Sequence, residues 1–131
     1  MTGVADLHCH SRYSDGTLAA IDLMTLARDR GVRMIALTDH DEVGGIAEAR
    51  EQAVRIGMQF VSGVEISSEW QGVAVHVVGL RIDETDPALQ QVLSAIRQQR
   101  LQPFDGDGAS TQPRVALVAH QGEHQVALEV I

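Results

Sequence analysis

Lysine is missing from this 131-residue chain: all ten basic residues are arginine. That excludes Schiff-base chemistry and bridging of metals by a carboxylated lysine. One cysteine excludes an internal disulfide and fits a reducing compartment. Aromatic residues make up only 3% of the chain, so the core has to be built from Ala, Val, Ile, Leu and Met. No apolar run approaches the roughly 18 residues of a membrane span. Met1 to Asp6 has neither the basic nor the apolar region of a signal peptide. Positive charge is short overall, with a formal net charge of −8, and a surface that coats nucleic acid needs the opposite field. A Walker-type phosphate loop is also lacking. The expectation is one cytoplasmic domain with a real core, off the membrane and without an extended nucleic-acid surface.

What is there begins with Asp6-Leu7-His8-Cys9-His10-Ser11, followed by Ser14-Asp15-Gly16. Side chains two apart on a strand share a face, about 6.5 Å apart. His8 and His10 can therefore converge on one cation, while Cys9 faces the other way as a packing residue. Asp15, in the next loop, can bring a carboxylate to the same mouth.

Along the chain, Val4–His10 reads as a short buried strand, and residues 19–30 as a helix stopped by Gly31. Val32–Thr38 reads as a strand buried on both faces. A second helix is expected over 46–56 and a third strand over 58–67. This alternation predicts a parallel sheet whose strand C-termini share one edge. That edge collects His8, His10, Asp15, His40 and Glu65, where α/β proteins build their sites. Trp70-Gln71-Gly72 leaves no room for a crossover helix, so Glu65–Trp70 and Val73–Leu80 read as a hairpin or a sharply bent extension that returns His76 to the mouth, with Trp70 packed at the tip. Asp86-Pro87 is a helix start, and that helix is expected to run to about Gln102. From Pro103 the pattern changes: breakers dominate, and only Val115–Ala119 reads as a strand.

His8, His10, Asp15, His40, Glu65 and His76 form a donor set of imidazole and carboxylate. It suits Zn²⁺, Mn²⁺ or Fe²⁺ better than Ca²⁺ or Mg²⁺, and it is too large for one tetrahedral ion. Several ions sharing a carboxylate can clamp a phosphate and generate hydroxide from water.

Four stretches together, Asp6–Ser11 with Ser14–Gly16, Ala36–Asp41, Gly63–Ser67 and His76–Leu80, resemble the PHP (polymerase and histidinol phosphatase) family. Their order and spacing are most similar to its small bacterial stand-alone phosphoesterases of the 3′,5′-nucleoside bisphosphate phosphatase and RNA 5′-end trimming type. The resemblance implies an α/β fold, the N-terminal part of a distorted (β/α)₇ barrel, over residues 1–102. It also implies up to three divalent ions, Mn²⁺ or else Zn²⁺ or Fe²⁺. His8 and His10 would bind the first, Asp15 and His40 the second, and His76 the third, with Glu65 bridging the first and third. Arg97 and Arg100 would hold substrate phosphate. Asp39 itself reads either as a residue that orients a ligand histidine from behind or as a helix cap. The implied reaction is hydrolysis of a small phosphomonoester of nucleotide type by hydroxide formed at the metals.

Members of that family are longer and add an inserted helical domain, a further ligand histidine and a late Asp-x-His pair. Residues 103–131 carry none of these; they read as a divergent tail, explained by a shifted reading frame or a truncation, with His120 and His124 as surface residues. Two other functions stand beside the phosphoesterase. One is a truncated fragment or interaction module, of the kind attached to replicative polymerases. The other is an amidohydrolase-type metal hydrolase, which also opens with His-x-His. A partial barrel leaves a sheet edge uncovered, and an oligomer is left open.

Overall fold

In the computed structural model, which describes residues 3–101, 115–119 and 126–130, two strand–helix repeats form the frame. They are β1 (Val4–Cys9), α1 (Ala20–Asp29), β2 (Val32–Leu37) and α2 (Ile46–Arg55), followed by β3 (Gln59–Trp70). β1, β2 and β3 lie side by side and parallel, as the alternation predicts. Both helices stop before glycines in the left-handed region, Gly31 and Gly57. α1 begins without a side-chain cap, after Ala19.

The chain then reverses. Trp70 pairs with Val73 across Gln71 and Gly72, whose φ values of 51° and 78° are both positive. Two central residues with positive φ make a type I′ turn, the hairpin connection whose twist suits its strands. β4 (Val73–Leu80) is therefore antiparallel to β3 and ends the sheet in the order β1-β2-β3-β4. α3 (Pro87–Arg100) starts where Asp86-Pro87 announces it: Asp86 Oδ1 accepts from the amides of Ala88 (2.7 Å) and Leu89 (3.4 Å).

Two apolar clusters hold this frame. Met24 of α1 and Ala49 and Ala53 of α2 pack on Ile35 and Leu37 of β2, with Cys9 partly buried against them. Leu93 and Ile96 of α3 pack on Val64 and Ile66 of β3. A buried leucine is worth about 1.5–3 kcal/mol over an exposed one. Leu93, fully buried, therefore does much to fix α3 across β3. Val64 and Ile66 share one strand face, so the alternation turns Glu65 to the other.

Two expectations are corrected. β1 is an edge strand and largely exposed, with Val4 at 60%, because among the described residues only β2 pairs with it. Trp70 sits at the hairpin tip but is 70% exposed, not packed. β3 runs on to Trp70 as the first arm of the expected hairpin, and α3 ends at Arg100, close to the expected Gln102. β4 forms the other open edge, with Val73 and Val75 exposed on it.

Val115–Ala119 is a strand, β5, as its apolar run suggests. It pairs antiparallel with an unforeseen β6 (Val126–Val130) in a separate two-stranded sheet. The breaker-rich 103–113 stretch, His120 and His124 lie outside the described residues. Among those residues no helix is long and apolar enough to cross a membrane.

Candidate metal centre

Past Leu37 the backbone of β2 keeps pairing on both sides. Thr38 N donates to Cys9 O (2.9 Å), Glu65 N to Asp39 O (3.1 Å), and Asp41 N to Glu65 O (2.9 Å). His40 and Glu65 are thereby bridged, one beside the other. His8 arrives on β1, His10 just past its end, and His76 on the returning arm of the hairpin. The result is a row of imidazoles with ring centroids 5.1 Å (His8–His10), 4.5 Å (His10–His40) and 5.1 Å (His40–His76) apart.

One carboxylate sits among them. Glu65 Oε2 is 2.8 Å from Nε2 of His8, 2.8 Å from Nε2 of His10 and 3.8 Å from Nε2 of His40. Its Oε1 is 3.6 Å from Nδ1 of His76. Asp15 closes the side between two rings, 3.0 Å from His10 Nδ1 and 3.3 Å from His40 Nε2. All six residues named from the sequence are thus brought together. They fall into three overlapping triads that could each hold a metal ion: His8, His10 and Glu65; His10, Asp15 and His40; and His40, Glu65 and His76.

The donors fit metals better than they fit one another. Nδ1 of His10 and of His40 are buried without a hydrogen-bond partner, the Asp15 oxygen near His10 being misaligned for one. Buried polar atoms left unpaired are costly. A shared carboxylate flanked by imidazoles is the donor chemistry of Mn²⁺, Fe²⁺ or Zn²⁺. Burial pushes the Glu65 carboxyl upward. The hydrogen bond from His8 and the charges of His40, His8 and His10 outweigh that and hold it below its ordinary value. Burial also raises Asp15, and His40 and His10 draw it down in the same way. Cations among these rings would supply the same positive charge.

Asp39, 2% exposed, reaches the loop and not a histidine ring. Its Oδ1 accepts from Ser11 N (2.7 Å) and Ser14 Oγ (2.6 Å), and its Oδ2 from Ser11 Oγ (2.7 Å). It ties down the segment that carries Asp15. Cys9 turns away from the centre, as alternation requires: its thiol donates to Ala36 O (3.1 Å), and burial, then Asp6 and Asp39, push its pKa up to about 12.

Beside the row opens a cavity of about 430 Å³, walled by Tyr13, Asp15, His40, His76, Arg97 and Arg100. α3 delivers both arginines, and Asp41 secures them. Arg97 Nη1 donates to Asp41 O (2.5 Å), and Arg100 Nη2 approaches Asp41 Oδ2 and hydrogen-bonds Ser67 Oγ. Asp41 Oδ1 meanwhile accepts from Ser67 N (2.7 Å). Asp41 holds φ of 50°, a left-handed conformation that aspartate tolerates better than most residues. Glu42 accepts from Val43 N and Gly44 N (both 2.9 Å) at the entry to α2. The role of Asp41 goes unread in the sequence, since nothing in the Asp39-His40-Asp41 triplet distinguishes its two aspartates.

A profile of the PHP domain matches residues 6–128. The chain is 48% identical over 105 residues to a 3′,5′-nucleoside bisphosphate phosphatase of Chromobacterium violaceum, covering 80% of this chain and 37% of that protein. It is 46% identical over 103 residues to a 5′-3′ exoribonuclease of Haemophilus influenzae, covering 76% and 38%. Among solved structures, a C. violaceum protein described as an amidohydrolase, with bound sulfate and no metal, superposes with a TM-score of 0.72 at 48% identity, over 73% of this chain and 34% of that one. A Bifidobacterium adolescentis protein described as a metal-dependent phosphoesterase superposes with a TM-score of 0.71 at 33% identity, over 74% and 34%. The chain therefore spans between a third and two fifths of the length of these relatives.

Proposed function

Because the chain belongs to the PHP domain family, we propose that its partial barrel carries the metal and anion site of a metal-dependent phosphoesterase acting on a small phosphomonoester of nucleotide type. The observation that supports this most is Glu65, a single carboxylate faced by four imidazoles at 2.8–3.8 Å. Bound there, divalent ions would provide hydroxide at neutral pH and neutralise charge on the phosphate.

His8 and His10 would hold one ion, Asp15 and His40 a second and His76 a third, with Glu65 as the carboxylate shared among them. Asp39 keeps Asp15 in place through Ser11 and Ser14. Arg97 and Arg100 line the adjoining cavity and orient a phosphate against the ions, each guanidinium offering a planar array of donors. Sulfate, a tetrahedral oxyanion like phosphate, is bound by a relative 48% identical to this chain. That relative's description as an amidohydrolase is the ground for the competing reading. A lysine-free chain cannot supply a carboxylated lysine, and two arginines beside the centre suit a phosphate better than an uncharged amide. All groups invoked lie within residues 1–102.

The test is metal analysis of the purified chain, paired with Mn²⁺-dependent hydrolysis of a generic phosphomonoester. Bound metal and a hydrolysis lost in His10→Ala are expected. A chain that retains no metal and hydrolyses nothing would be an interaction module or fragment.

A further inference from the structure

Tyr13 is half-exposed, at 46%, in the wall of the cavity that holds both arginines. From its place we infer that Tyr13 is the platform for a flat ring in the leaving group of the substrate, a nucleobase. This rests on the phosphoesterase reading above and assigns the base of its nucleotide substrate a contact.

The ring is seated on purpose-made backbone. A Cβ at Gly45 would stand 2.8 Å from Tyr13 Cδ2, and one at Gly44 would stand 3.1 Å from Cε1. The two glycines touch opposite sides of the ring, so the ring lies across their shared backbone, and a side chain at Gly45 would push it off. The residue is also fixed from its own backbone: Tyr13 N donates to Ser11 Oγ (3.2 Å), and that hydroxyl is itself bound to Asp39. The ring, carried by the same loop as Asp15, thus rests against the glycine backbone, in a residue left about half exposed. In a chain with one Tyr, one Trp and two Phe, an aromatic left half-open in a wall otherwise polar and charged is poor packing and a good stacking surface.

The cavity therefore offers two unlike kinds of contact: Arg97 and Arg100, with an ion that His40 and Asp15 would hold, suit an anion, and Tyr13 suits a planar ring. A nucleoside monophosphate joins those two groups through a sugar. Base–aromatic stacking changes affinity by about tenfold or more when the aromatic is truncated, and it accepts any base because every base has a π-face.

The experiment is calorimetric binding to the Mn²⁺-loaded chain of adenosine 5′-monophosphate, ribose 5-phosphate and inorganic phosphate. The nucleotide is expected to bind about tenfold tighter than the sugar phosphate. Tyr13→Ala is expected to bring that ratio to about one without changing phosphate affinity, and Tyr13→Phe to keep it. Gly45→Ala, which leaves the ring present but unseated, is expected to lower the ratio as well. A wild-type chain that binds phosphate but treats the two esters alike overturns the inference and leaves the phosphoesterase reading standing. So does a ratio unchanged in Tyr13→Ala. A chain that binds none of the three overturns both.

Discussion

Arg100 Nη2 stands 2.7 Å from Oδ2 of Asp41, whose side chain has no exposed surface, while Arg100 itself is half in solvent. The contact is one of charge, without the alignment of a hydrogen bond. Removing the arginine strands a buried carboxylate, and removing the carboxylate frees an arginine that water can still reach. In a double-mutant cycle of Asp41→Asn and Arg100→Gln, followed by urea unfolding, we expect Arg100→Gln alone to be the more damaging. The coupling should be about 1–2 kcal/mol. Additive single effects would mean that Asp41 holds only the backbone.

Asp39 reaches the proposed metal site through a loop. Asp39→Asn keeps one acceptor for Ser11 N and loses the second oxygen that takes the Ser11 hydroxyl. Groups that orient metal ligands are typically worth 10–100-fold in metal affinity. A loss of roughly that size is expected in competition with a chelating dye, and an unchanged Mn²⁺ affinity would count against the role.

Glu84 makes stability depend on pH. Burial raises its carboxyl, but its own backbone amide, Arg50 and Ser62 together hold it below its ordinary value. A folded pKa below the unfolded one stabilises at pH values above the unfolded pKa, and the gain is lost as pH falls through the folded value. At pH 7 the wild type should exceed Glu84→Gln by about 0.5–1 kcal/mol, since Arg50 is partly exposed. The gap should close below about pH 4. A gap that persisted at pH 3 would assign the effect to packing.

Cys9 should be inert in the folded chain. With its pKa at about 12, only about one thiol in ten thousand is ionised at pH 8, against roughly a quarter for a free cysteine. Alkylation by iodoacetamide should be slower by about three orders of magnitude in buffer than in denaturant. Comparable rates would show that β1 opens readily.

The alternation of apolar runs and caps made the frame legible, because each element carried its own local signal: Gly31, Gly57 and Asp86-Pro87 mark boundaries, and Gln71-Gly72 marks the reversal. The six donors were legible because strand alternation and a shared C-terminal edge converge them. What the sequence hid were relations between distant residues with no local mark. The exposure of β1 depends on which strand fails to pair with it. The role of Asp41 depends on where α3 sets down Arg100, and the seat of Tyr13 depends on two glycines that arrive after the next strand.

His76 is brought to the centre only by the hairpin, paired with Ser67, three residues from the turn on the one arm as Ser67 is on the other. The arm from that turn to His76 is accordingly a counting device. One residue added within it, with the pairing at the turn kept, would flip His76 to the opposite face, and two would slide it by about 6.6 Å, beyond reach of Glu65. The side chains of Trp70 and Val73 face solvent and can change, while the arm behind them is fixed in length.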